Sequence, residues 1–471
     1  MASAAIKFGT DGWRAIIAEG YTFDNVAAVT RATAQWLHAE YGDAPSVVIG
    51  HDTRFLGRRF SEHCARVFVA SGVRVVFADG VATTPAISWA TKEYGLSAGI
   101  VITASHNPPE YSGFKIKAHF GGPATPEMIA AVEAELDRIE PVGSLPAFEQ
   151  AVREGKVTLR DVSSEYIELL RSRLDIEAIK ASGVRIAHDA MYGAGQGIIS
   201  GLLGTDHVVE LRSDFNPGFH GNAPEPIERN LEELARLVPA EGCAVGIAND
   251  GDADRVGMYD EKGQFVSSHL MLALLVKYLH KTRGLSGEIV KTFSTTHMLD
   301  RIGEAYGLPV HTTPIGFKYI ASRIVEGDVL VGGEESGGMA VKGHIPERDG
   351  IYIGLLITEM IVKRGRSLSA LVDELYDEFG GHFTHRIDVY TTDEKKRAVL
   401  ARLSSGSGLT EIAGHGVSQL LDMDGYKYVT DAGWLLVRPS GTEPVLRVYS
   451  EAADLETAEQ IVEDAIGQLG V

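Results

Sequence analysis

Three aspartates at alternate positions dominate the chemistry that this sequence can support. Asp250, Asp252 and Asp254 stand in the segment NDGDADR. The apolar run from Ala244 to Ala248 predicts a buried strand before them, and alternate residues of an extended segment place their side chains on one face. A divalent cation prefers several hard oxygen ligands around one point, whereas carboxylates without a cation repel one another. The spacing therefore predicts a metal site at the end of a strand.

A calcium loop of the EF-hand type is an alternative for the same segment. Asp250 would take its first position, and Glu261 falls at the twelfth. The sixth position must be glycine for the sharp turn, but Arg255 stands there. The flanks also predict strands, such as Val256 to Tyr259, and not paired helices. We therefore favour a metal site at a strand end, and an acidic turn without an ion remains open.

A second polar loop, TASHNP, offers a hydroxyl that could accept a phosphoryl group. Ser105 and His106 follow a strand predicted over residues 98–103, and two prolines end the loop. A serine can carry a phosphoryl group if a metal and nearby cations balance the added charge. Lys115 lies on the far arm of the same loop. A plain turn before proline is the structural alternative.

Other segments carry groups that suit a sugar phosphate. Residues 438–444 lie between two predicted strands and combine an arginine, two hydroxyls and a glycine, as a phosphate cradle would. Glu334 and Ser336 follow another predicted strand at alternate positions, as partners of sugar hydroxyls would. Plain glycine-rich turns are the alternative for both segments. Further cations that could meet a phosphate are Arg14, Lys318, Arg348 and Arg447.

Composition limits the partners that suit this chain. Its 471 residues exceed what one hydrophobic core usually supports, and its formal net charge is -20. That charge disfavours nucleic acid and anionic membrane, because both require extended basic surface. Cys64 and Cys243 lie in apolar segments and predict buried thiols in a reducing compartment. The sequence shows neither a signal-peptide pattern nor a spanning apolar stretch, so we expect a cytoplasmic protein.

Periodicity predicts three α/β units followed by a different fourth unit. Short runs rich in Val and Ile alternate with helical segments, the pattern of largely parallel sheets covered by helices. A faint repeat, VIGHD at 48–52 and RIAHD at 185–189, suggests that the units are related. The predicted domains span residues 1–150, 151–258, 259–375 and 376–471, the last a small α+β module. Open α/β sheets bind ligands beyond the carboxyl ends of their strands, so the polar loops could enclose one cleft.

These segments together resemble the α-D-phosphohexomutase family of phosphoglucomutases and phosphomannomutases. The resemblance covers essentially the whole chain, and five motifs carry it: residues 8–14, 103–108, 250–255, 333–338 and 438–444. It implies a four-domain, heart-shaped molecule. Three similar α/β domains with mixed, largely parallel sheets would precede a C-terminal α+β domain with an antiparallel sheet.

The resemblance also implies roles for the candidate residues. Ser105 would be the phosphoserine. The other candidates at the reacting group would be His106, Arg255, Arg14 and Lys115, the last two as acid and base. One Mg²⁺ per chain would be held by Asp250, Asp252, Asp254 and a phosphoryl oxygen on Ser105. Sugar hydroxyls would meet Glu334 and Ser336. The substrate phosphates would meet Lys318, Arg348, Arg438, Ser440, Gly441, Thr442 and Arg447.

The implied reaction interconverts hexose 1-phosphate and hexose 6-phosphate through a phosphoserine enzyme. Its intermediate, a hexose 1,6-bisphosphate, is also the expected activator. Glucose is favoured because the dual-specificity branch tends to carry His at position 338, where this chain has Gly. Ile315 and Arg348 depart from the Thr and Lys of well-known glucose mutases, which leaves mannose open. Glucosamine fits less well, since that branch usually has Gly in place of Ala253.

Two readings from other functional classes remain open. One is a metal-dependent sugar phosphatase that hydrolyses the phosphoserine, and the other is a non-catalytic protein that binds sugar phosphates. An intact Ser105 with three metal aspartates argues against the second, because simple binding requires no phosphorylatable serine. The sequence does not predict the oligomeric state.

Overall fold

The computed structural model describes residues 6–136, 138, 144–405, 408–439 and 445–471. These residues form four sheets of four to six strands and a two-stranded ribbon. The helices, numbered in chain order, are α1 (Phe23–Tyr41), α2 (Gly57–Ala70), α3 (Thr84–Glu93), α4 (Pro126–Leu136), α5 (Phe148–Arg153), α6 (Val162–Arg173), α7 (Ile176–Ala181), α8 (Ile198–Leu203), α9 (Glu232–Ala240), α10 (Ser268–Lys277), α11 (Met298–Tyr306), α12 (Phe317–Glu326), α13 (Gly350–Arg364), α14 (Leu368–Phe379), α15 (Asp393–Ser404) and α16 (Leu455–Leu469).

The first sheet is mixed. Its strands are β1 (Trp13–Ile16), β2 (Ser46–His51), β3 (Arg74–Ala78), β4 (Ala98–Ile102), β5 (Tyr111–Ala118) and β6 (Val157–Arg160). They lie in the order β1-β5-β4-β2-β3-β6. The neighbours β4, β2, β3 and β6 pair in parallel, whereas β5 pairs antiparallel with both β4 and β1. Every residue of β2 and β4 is buried, which explains their continuous apolar runs.

The second and third sheets repeat this design with a parallel centre and an antiparallel edge. The second contains β7 (Ile186–Asp189), β8 (Val208–Leu211), β9 (Val245–Asn249), β10 (Val256–Tyr259) and β11 (Phe265–Val266), in the order β11-β10-β9-β7-β8. The third contains β12 (Glu288–Thr292), β13 (Val310–Thr313), β14 (Val329–Gly333) and β15 (Met339–Val341), in the order β13-β12-β14-β15. The candidate loops follow β4, β9 and β14, each at the carboxyl end of a parallel strand.

The fourth sheet is antiparallel throughout. Its strands are β16 (Phe383–Tyr390), β19 (Gln419–Leu421), β20 (Tyr426–Val429), β21 (Gly433–Pro439) and β22 (Val445–Ala452), in the order β16-β22-β21-β20-β19. The ribbon is formed by β17 (Glu411–Ile412) and β18 (His415–Gly416). Helix α16 packs on β16 and β22.

The four units are joined in two different ways. One hydrophobic core runs through the first three and includes Val48, Ile247 and Leu355. The fourth unit has a separate core around Leu435. A small apolar cluster joins it to the third, and its buried members are Phe293, Trp434, Leu436 and Tyr449. The loops of the first three units are therefore held together by a continuous core, whereas the fourth unit is attached through a smaller contact.

The structure confirms the predicted fold class, with three mixed α/β units before an antiparallel α+β unit. Two predicted domain limits need correction. Strand β6 extends the first sheet beyond residue 150, and β11 extends the second beyond residue 258, because each pairs with an earlier strand. Cys64 and Cys243 are free and buried, as predicted. In the described part of the chain, no helix has the length and apolar character to cross a membrane.

Candidate active site

Ser105 lies three residues beyond the end of β4 and is 1% exposed. Its Oγ donates a hydrogen bond to Asp250 Oδ2 at 2.7 Å, and its N–H donates to Thr103 Oγ1 at 2.9 Å. Its φ of 53° falls in the left-handed region, which costs roughly 1–2 kcal/mol for a residue with a side chain. The fold therefore holds the serine hydroxyl against the aspartate loop (residues 250–255) despite local backbone strain.

Arg54, which the sequence analysis did not single out, holds the serine loop in that shape. Its buried guanidinium lies 3.2 Å from Asp52 Oδ2. It donates to the backbone carbonyl oxygens of Ser105, Asn107, Pro108 and Tyr111, at 2.8, 2.6, 2.8 and 3.0 Å. Burial raises the pKa of Asp52 to about 6, although Arg54 opposes this shift. The repeat at residues 48–52 was the one sequence signal for this region.

Asp250, Asp252 and Asp254 are fully buried, and one oxygen from each lies within 4.8 Å of the others. Oδ1 of Asp252 and Oδ1 of Asp254 have no hydrogen-bond partner within the described ranges. Buried carboxylate oxygens are costly to leave unpaired. Burial, followed by the two neighbouring carboxylates, raises the pKa of Asp250 well above its ordinary value. This donor set therefore fits a divalent cation that takes oxygen ligands.

A group of cations and one further carboxylate close the other side of the aspartate cluster. Lys115 Nζ lies 2.7 Å from Asp252 Oδ2, 2.8 Å from Asp254 Oδ2 and 2.8 Å from Asp11 Oδ2. Arg348 donates to Asp254 Oδ2 at 2.7 Å and also to Asp11. Burial alone would lower the pKa of Lys115, but the three carboxylates outweigh it and raise that pKa. Asp252 and Asp254 thus each turn one oxygen to a cation and keep the other available to a metal.

The glycine-rich motif at residues 8–14 contributes two groups to this site. Arg14 is one of the predicted acid and base candidates, and its NH1 donates to Asn107 Oδ1 in the serine loop at 2.6 Å. Asp11, in the same motif, was missed as a site residue although it contacts Lys115 and Arg348. The motif pointed to the right segment, but which of its side chains would turn inward depends on the fold.

His106 and Arg255 both lie close to the serine hydroxyl and its aspartate partner. His106 Nδ1 is 3.3 Å from Ser105 Oγ. Burial lowers the pKa of His106 well below its ordinary value, and Arg255 and Arg14 act in the same direction. The Arg255 N–H donates to Asp250 Oδ1 at 3.0 Å. Its buried Nε has no partner among the residues that the structure describes, so this donor is available to a ligand.

Glu334 and Ser336 follow β14 in the third unit. Arg348 NH1 lies 3.8 Å from Glu334 Oε2. Burial raises the pKa of Glu334 to about 7, although Arg348 opposes this shift. Ser336 lines a cavity of about 200 Å³ together with His385 and Arg386 of the fourth unit. Glu334 therefore borders the charged centre, and Ser336 borders the cavity.

Gly338 makes room for Arg348. A Cβ atom at position 338 would lie 2.3 Å from Arg348 Cδ and 3.3 Å from Glu334 Oε2. The first distance is too short for any real side chain, so Arg348 would have to move. The absence of a side chain at this position is thus part of how Arg348 reaches Asp254.

Arg438 and Arg447 stand directly opposite each other on β21 and β22. Arg438 Nε donates to Asp424 Oδ1 at 2.9 Å. The buried Nε of Arg447 has no partner within the described part of the chain. Like charges at opposing positions destabilise a sheet, and a bound anion relieves them. The predicted neighbours Ser440, Gly441 and Thr442 lie outside the described residues.

Lys318 lies at the start of α12, apart from Ser336. It lines a different cavity of about 200 Å³, shared with residues 8–12 and Glu133 of the first unit. The structure thus places Lys318 beside the glycine-rich motif.

Models of known protein families match most of the chain. Four models match: phosphoglucomutase/phosphomannomutase alpha/beta/alpha domain I at residues 5–142, domain II at 164–263, domain III at 267–379 and the C-terminal domain at 391–468. The chain therefore belongs to the phosphoglucomutase/phosphomannomutase family, and it is a phosphohexomutase.

Individual relatives carry more than one substrate name. The phosphoglucomutase/phosphomannomutase of Thermococcus kodakarensis is 34% identical over 97% of this chain and 96% of its own length. A "Probable phosphoglucosamine mutase" of Pyrococcus furiosus is 32% identical over 98% of this chain and 96% of its own. The phosphoglucomutase of Komagataeibacter xylinus is 30% identical over 100% and 92%.

Solved structures agree on the fold. A provisionally named phosphomannomutase from Thermus thermophilus superposes with a TM-score of 0.87 at 33% identity, and the match covers 100% of both chains. The parafusin phosphoglucomutase of Paramecium, in its open form, gives a TM-score of 0.84 at 22% identity over 99% of this chain and 94% of its own. The second likeness concerns the fold alone.

Proposed function

We propose that this phosphohexomutase interconverts hexose 1-phosphate and hexose 6-phosphate through a phosphoserine at position 105, with glucose as the favoured hexose. The observation that carries the proposal is the hydrogen bond from Ser105 Oγ to Asp250 at 2.7 Å, within a buried aspartate cluster. A serine in this place can exchange a phosphoryl group beside the charges that stabilise the transfer.

The reaction proceeds in two transfers. Phospho-Ser105 gives its phosphoryl group to the free hydroxyl of a hexose monophosphate, so that the bond from phosphorus to serine breaks while the bond to the sugar oxygen forms. The hexose 1,6-bisphosphate reverses its orientation in the cleft and then returns its other phosphoryl group to Ser105. Added hexose 1,6-bisphosphate activates the enzyme because it phosphorylates the serine.

The metal ligands proposed for Mg²⁺ are Asp250, Asp252, Asp254 and a phosphoryl oxygen on Ser105. When bound, the ion supplies Lewis-acid stabilisation of the transferring group. Oδ1 of Asp252 and Oδ1 of Asp254, which lack a hydrogen-bond partner among the described residues, support this assignment.

Protein cations and proton donors complete the reacting centre. The raised pKa of Lys115 keeps its ammonium group protonated, the form that a general acid requires. Arg14 and Lys115 are the proposed acid and base candidates. Arg255 offers to the phosphoryl group its Nε, which has no partner in the described part of the chain, and His106 is held neutral next to Ser105. Arg348 links this centre to the sugar-binding Glu334.

Recognition of the substrate is assigned to the third and fourth units. The Glu334 carboxylate accepts hydrogen bonds from sugar hydroxyls, and the Ser336 hydroxyl accepts from them or donates to them. The opposed pair of Arg438 and Arg447 binds the phosphate that is not reacting, with Ser440, Gly441 and Thr442 as further predicted ligands. Lys318 meets a phosphate near the glycine-rich motif.

A coupled assay tests the reaction and the choice of sugar. Glucose 1-phosphate, mannose 1-phosphate and glucosamine 1-phosphate are compared with Mg²⁺ and a trace of the matching bisphosphate. We expect formation of the 6-phosphate, fastest with glucose. A preference for mannose would support the dual-specificity alternative, and failure to form any 6-phosphate would contradict the proposal.

A sugar phosphatase is the second candidate for the chemistry. Ser105 is 1% exposed, and exclusion of water favours transfer to a bound sugar over hydrolysis. Steady release of inorganic phosphate from glucose 1-phosphate in the same assay would favour the phosphatase.

A further inference from the structure

We propose that Asp424 is a positioning residue that fixes Arg438 relative to the third unit and thereby sets the affinity for the sugar phosphate. The inference rests on the proposed function, because it concerns the phosphate that Arg438 is assigned to bind. Asp424 lies in the turn between β19 and β20, outside every motif that the sequence analysis singled out.

The two oxygens of Asp424 serve two different units. Oδ1 accepts a hydrogen bond from Arg438 Nε at 2.9 Å, within the fourth unit. Oδ2 accepts from the backbone N–H of Ile315, in the third unit, at 2.9 Å. One carboxylate thus ties a phosphate-binding cation to the backbone of a neighbouring domain. Charge-assisted hydrogen bonds of this kind are stronger and more directional than neutral ones.

A close backbone approach places Asp424 beside Arg438. The next residue, Gly425, has a φ of 95°, and a Cβ atom there would lie 2.7 Å from the carbonyl oxygen of Val437. Only glycine fits such an approach without strain. The backbone of the β19–β20 turn therefore packs directly against β21 at the position of Arg438.

The segment held by the other oxygen also belongs to the proposed site. Ile315 directly precedes Gly316. A Cβ atom added at Gly316 would lie 3.2 Å from Thr10 Cγ2, so this segment packs closely against the glycine-rich motif. Lys318 follows two residues later and lines the cavity beside residues 8–12. Asp424 therefore connects Arg438 to the stretch of the third unit that carries another phosphate-binding candidate.

Arg438 keeps donors for a ligand while it makes this contact. A guanidinium group has five N–H donors, and the contact uses the single one on Nε. The four donors on the terminal nitrogens suit the bidentate recognition of a phosphate. Asp424 thus orients the guanidinium group of Arg438 without using the donors on its terminal nitrogens.

The contact can be removed without detaching the fourth unit. The apolar cluster of Phe293, Trp434, Leu436 and Tyr449 joins the same two units. Lys427 of β20 also donates to the carbonyl oxygen of Phe293 at 3.0 Å. Substitution of Asp424 should therefore change the placement of Arg438 more than the assembly of the domains.

The test compares Asp424→Ala and Asp424→Asn with Asp431→Asn in the coupled assay. Asp431 is the matched control, because it lies in the same unit with an 83% exposed side chain that pairs with His415. We expect KM for the hexose 1-phosphate to rise on the order of tenfold in Asp424→Ala and less in Asp424→Asn, which keeps one acceptor oxygen. The kcat should change less than about twofold.

The outcomes separate this inference from the proposed function. Mutase activity in the wild type and in Asp431→Asn, with an unchanged KM in both Asp424 variants, would overturn the positioning role alone. A loss of kcat without a rise in KM would overturn it as well. An inactive wild type would instead contradict the proposed function. If Asp424→Ala fails to fold, the Asp424→Asn variant carries the test through the same split of KM and kcat.

Discussion

The proposed reacting centre and the proposed recognition surface of this protein are built differently. Ser105 and the aspartate cluster are at most 1% exposed and lie on units that share one continuous hydrophobic core. The side chains of Arg438 and Asp424 are 20% and 23% exposed, on a unit with a separate core. Buried charges that are fixed in advance suit phosphoryl transfer, because no reorganisation is required at the moment of reaction. A more open surface, attached through a smaller apolar contact, suits the entry and reorientation of a sugar.

This contrast implies different kinetic consequences for substitutions in the two regions. Changes in the buried centre should lower kcat, because the proposed role of its residues is to contact the transferring group. Changes on the recognition surface should act mainly through KM, because the proposed role of its residues is to hold parts of the substrate that do not react.

The largest effect is expected at Asp252. The Asp252→Asn substitution removes the charge of a proposed metal ligand and one of the three carboxylate partners of Lys115, so we expect kcat to fall on the order of a thousandfold or more. Steady-state kinetics with Mg²⁺ measures this loss. The control is Asp79→Asn, since the Asp79 side chain is 54% exposed and pairs with Arg58. Near-normal turnover of Asp252→Asn would contradict the metal assignment.

A smaller loss is expected at Arg54, which contacts the serine loop through backbone carbonyl oxygens. The Arg54→Lys substitution keeps the charge but cannot reproduce a fork that meets four carbonyl oxygens. A displacement of about 1 Å in the serine loop costs on the order of a hundredfold in rate, so kcat should fall by about that factor with little change in KM. The control is Arg58→Lys, whose wild-type side chain is 49% exposed. Equal kinetics for the two variants would show that Arg54 does not position the loop.

Glu334 sharpens the comparison from the recognition side. With a pKa near 7, Glu334 is ionised above neutral pH and loses its charge below it. The carboxylate is the stronger acceptor for a sugar hydroxyl, so kcat/KM should decline as the pH falls through about 7. The Glu334→Gln substitution should lower kcat/KM about tenfold and remove this limb. A pH profile of kcat/KM that keeps the limb in the variant would assign it to another group.

The smallest effect is expected at Lys427, which lies at the contact between the third and fourth units. Burial, followed by repulsion from Lys291, lowers the pKa of Lys427 from its ordinary 10.5 to about 7 in the folded protein. Between these values the unfolded chain binds more protons, so the contribution of this residue to stability rises with pH from about 7 to 10. In Lys427→Met the melting temperature should rise less across that window than in the wild type. The same slope in both proteins would exclude Lys427 as the source, and exposed Lys395→Met is the control.

Much of the reacting centre could be predicted from local sequence patterns. The aspartates at alternate positions and the serine loop each follow an apolar strand, and parallel strands bring their carboxyl ends to one side of a sheet. The hydrogen bond between Ser105 and Asp250 joins these two loops across 145 residues. The resemblance to a known family, and not a local pattern, supplied that pairing.

Other site residues could not be found in this way. Arg54 acts through backbone carbonyls, which leave no trace in the side-chain pattern. Asp424 reaches Ile315 across 109 residues, in a turn whose sequence suits many surface turns. The domain limits at 150 and 258 were misplaced for a similar reason, because an edge strand looks the same whether it closes one sheet or opens the next.

The central claim is that Ser105 carries the phosphoryl group between sugar molecules. Its most direct test is peptide mass spectrometry of the protein after incubation with glucose 1,6-bisphosphate, followed by addition of glucose 1-phosphate. We expect one phosphoryl group on Ser105 after the first step. If the bisphosphate carries ¹⁸O-labelled phosphoryl groups, an unlabelled group should replace the labelled one on Ser105 as glucose 1-phosphate is converted. Neither should be found at that site in Ser105→Ala, which should also lack mutase activity. An active protein whose Ser105 is never phosphorylated would contradict the account.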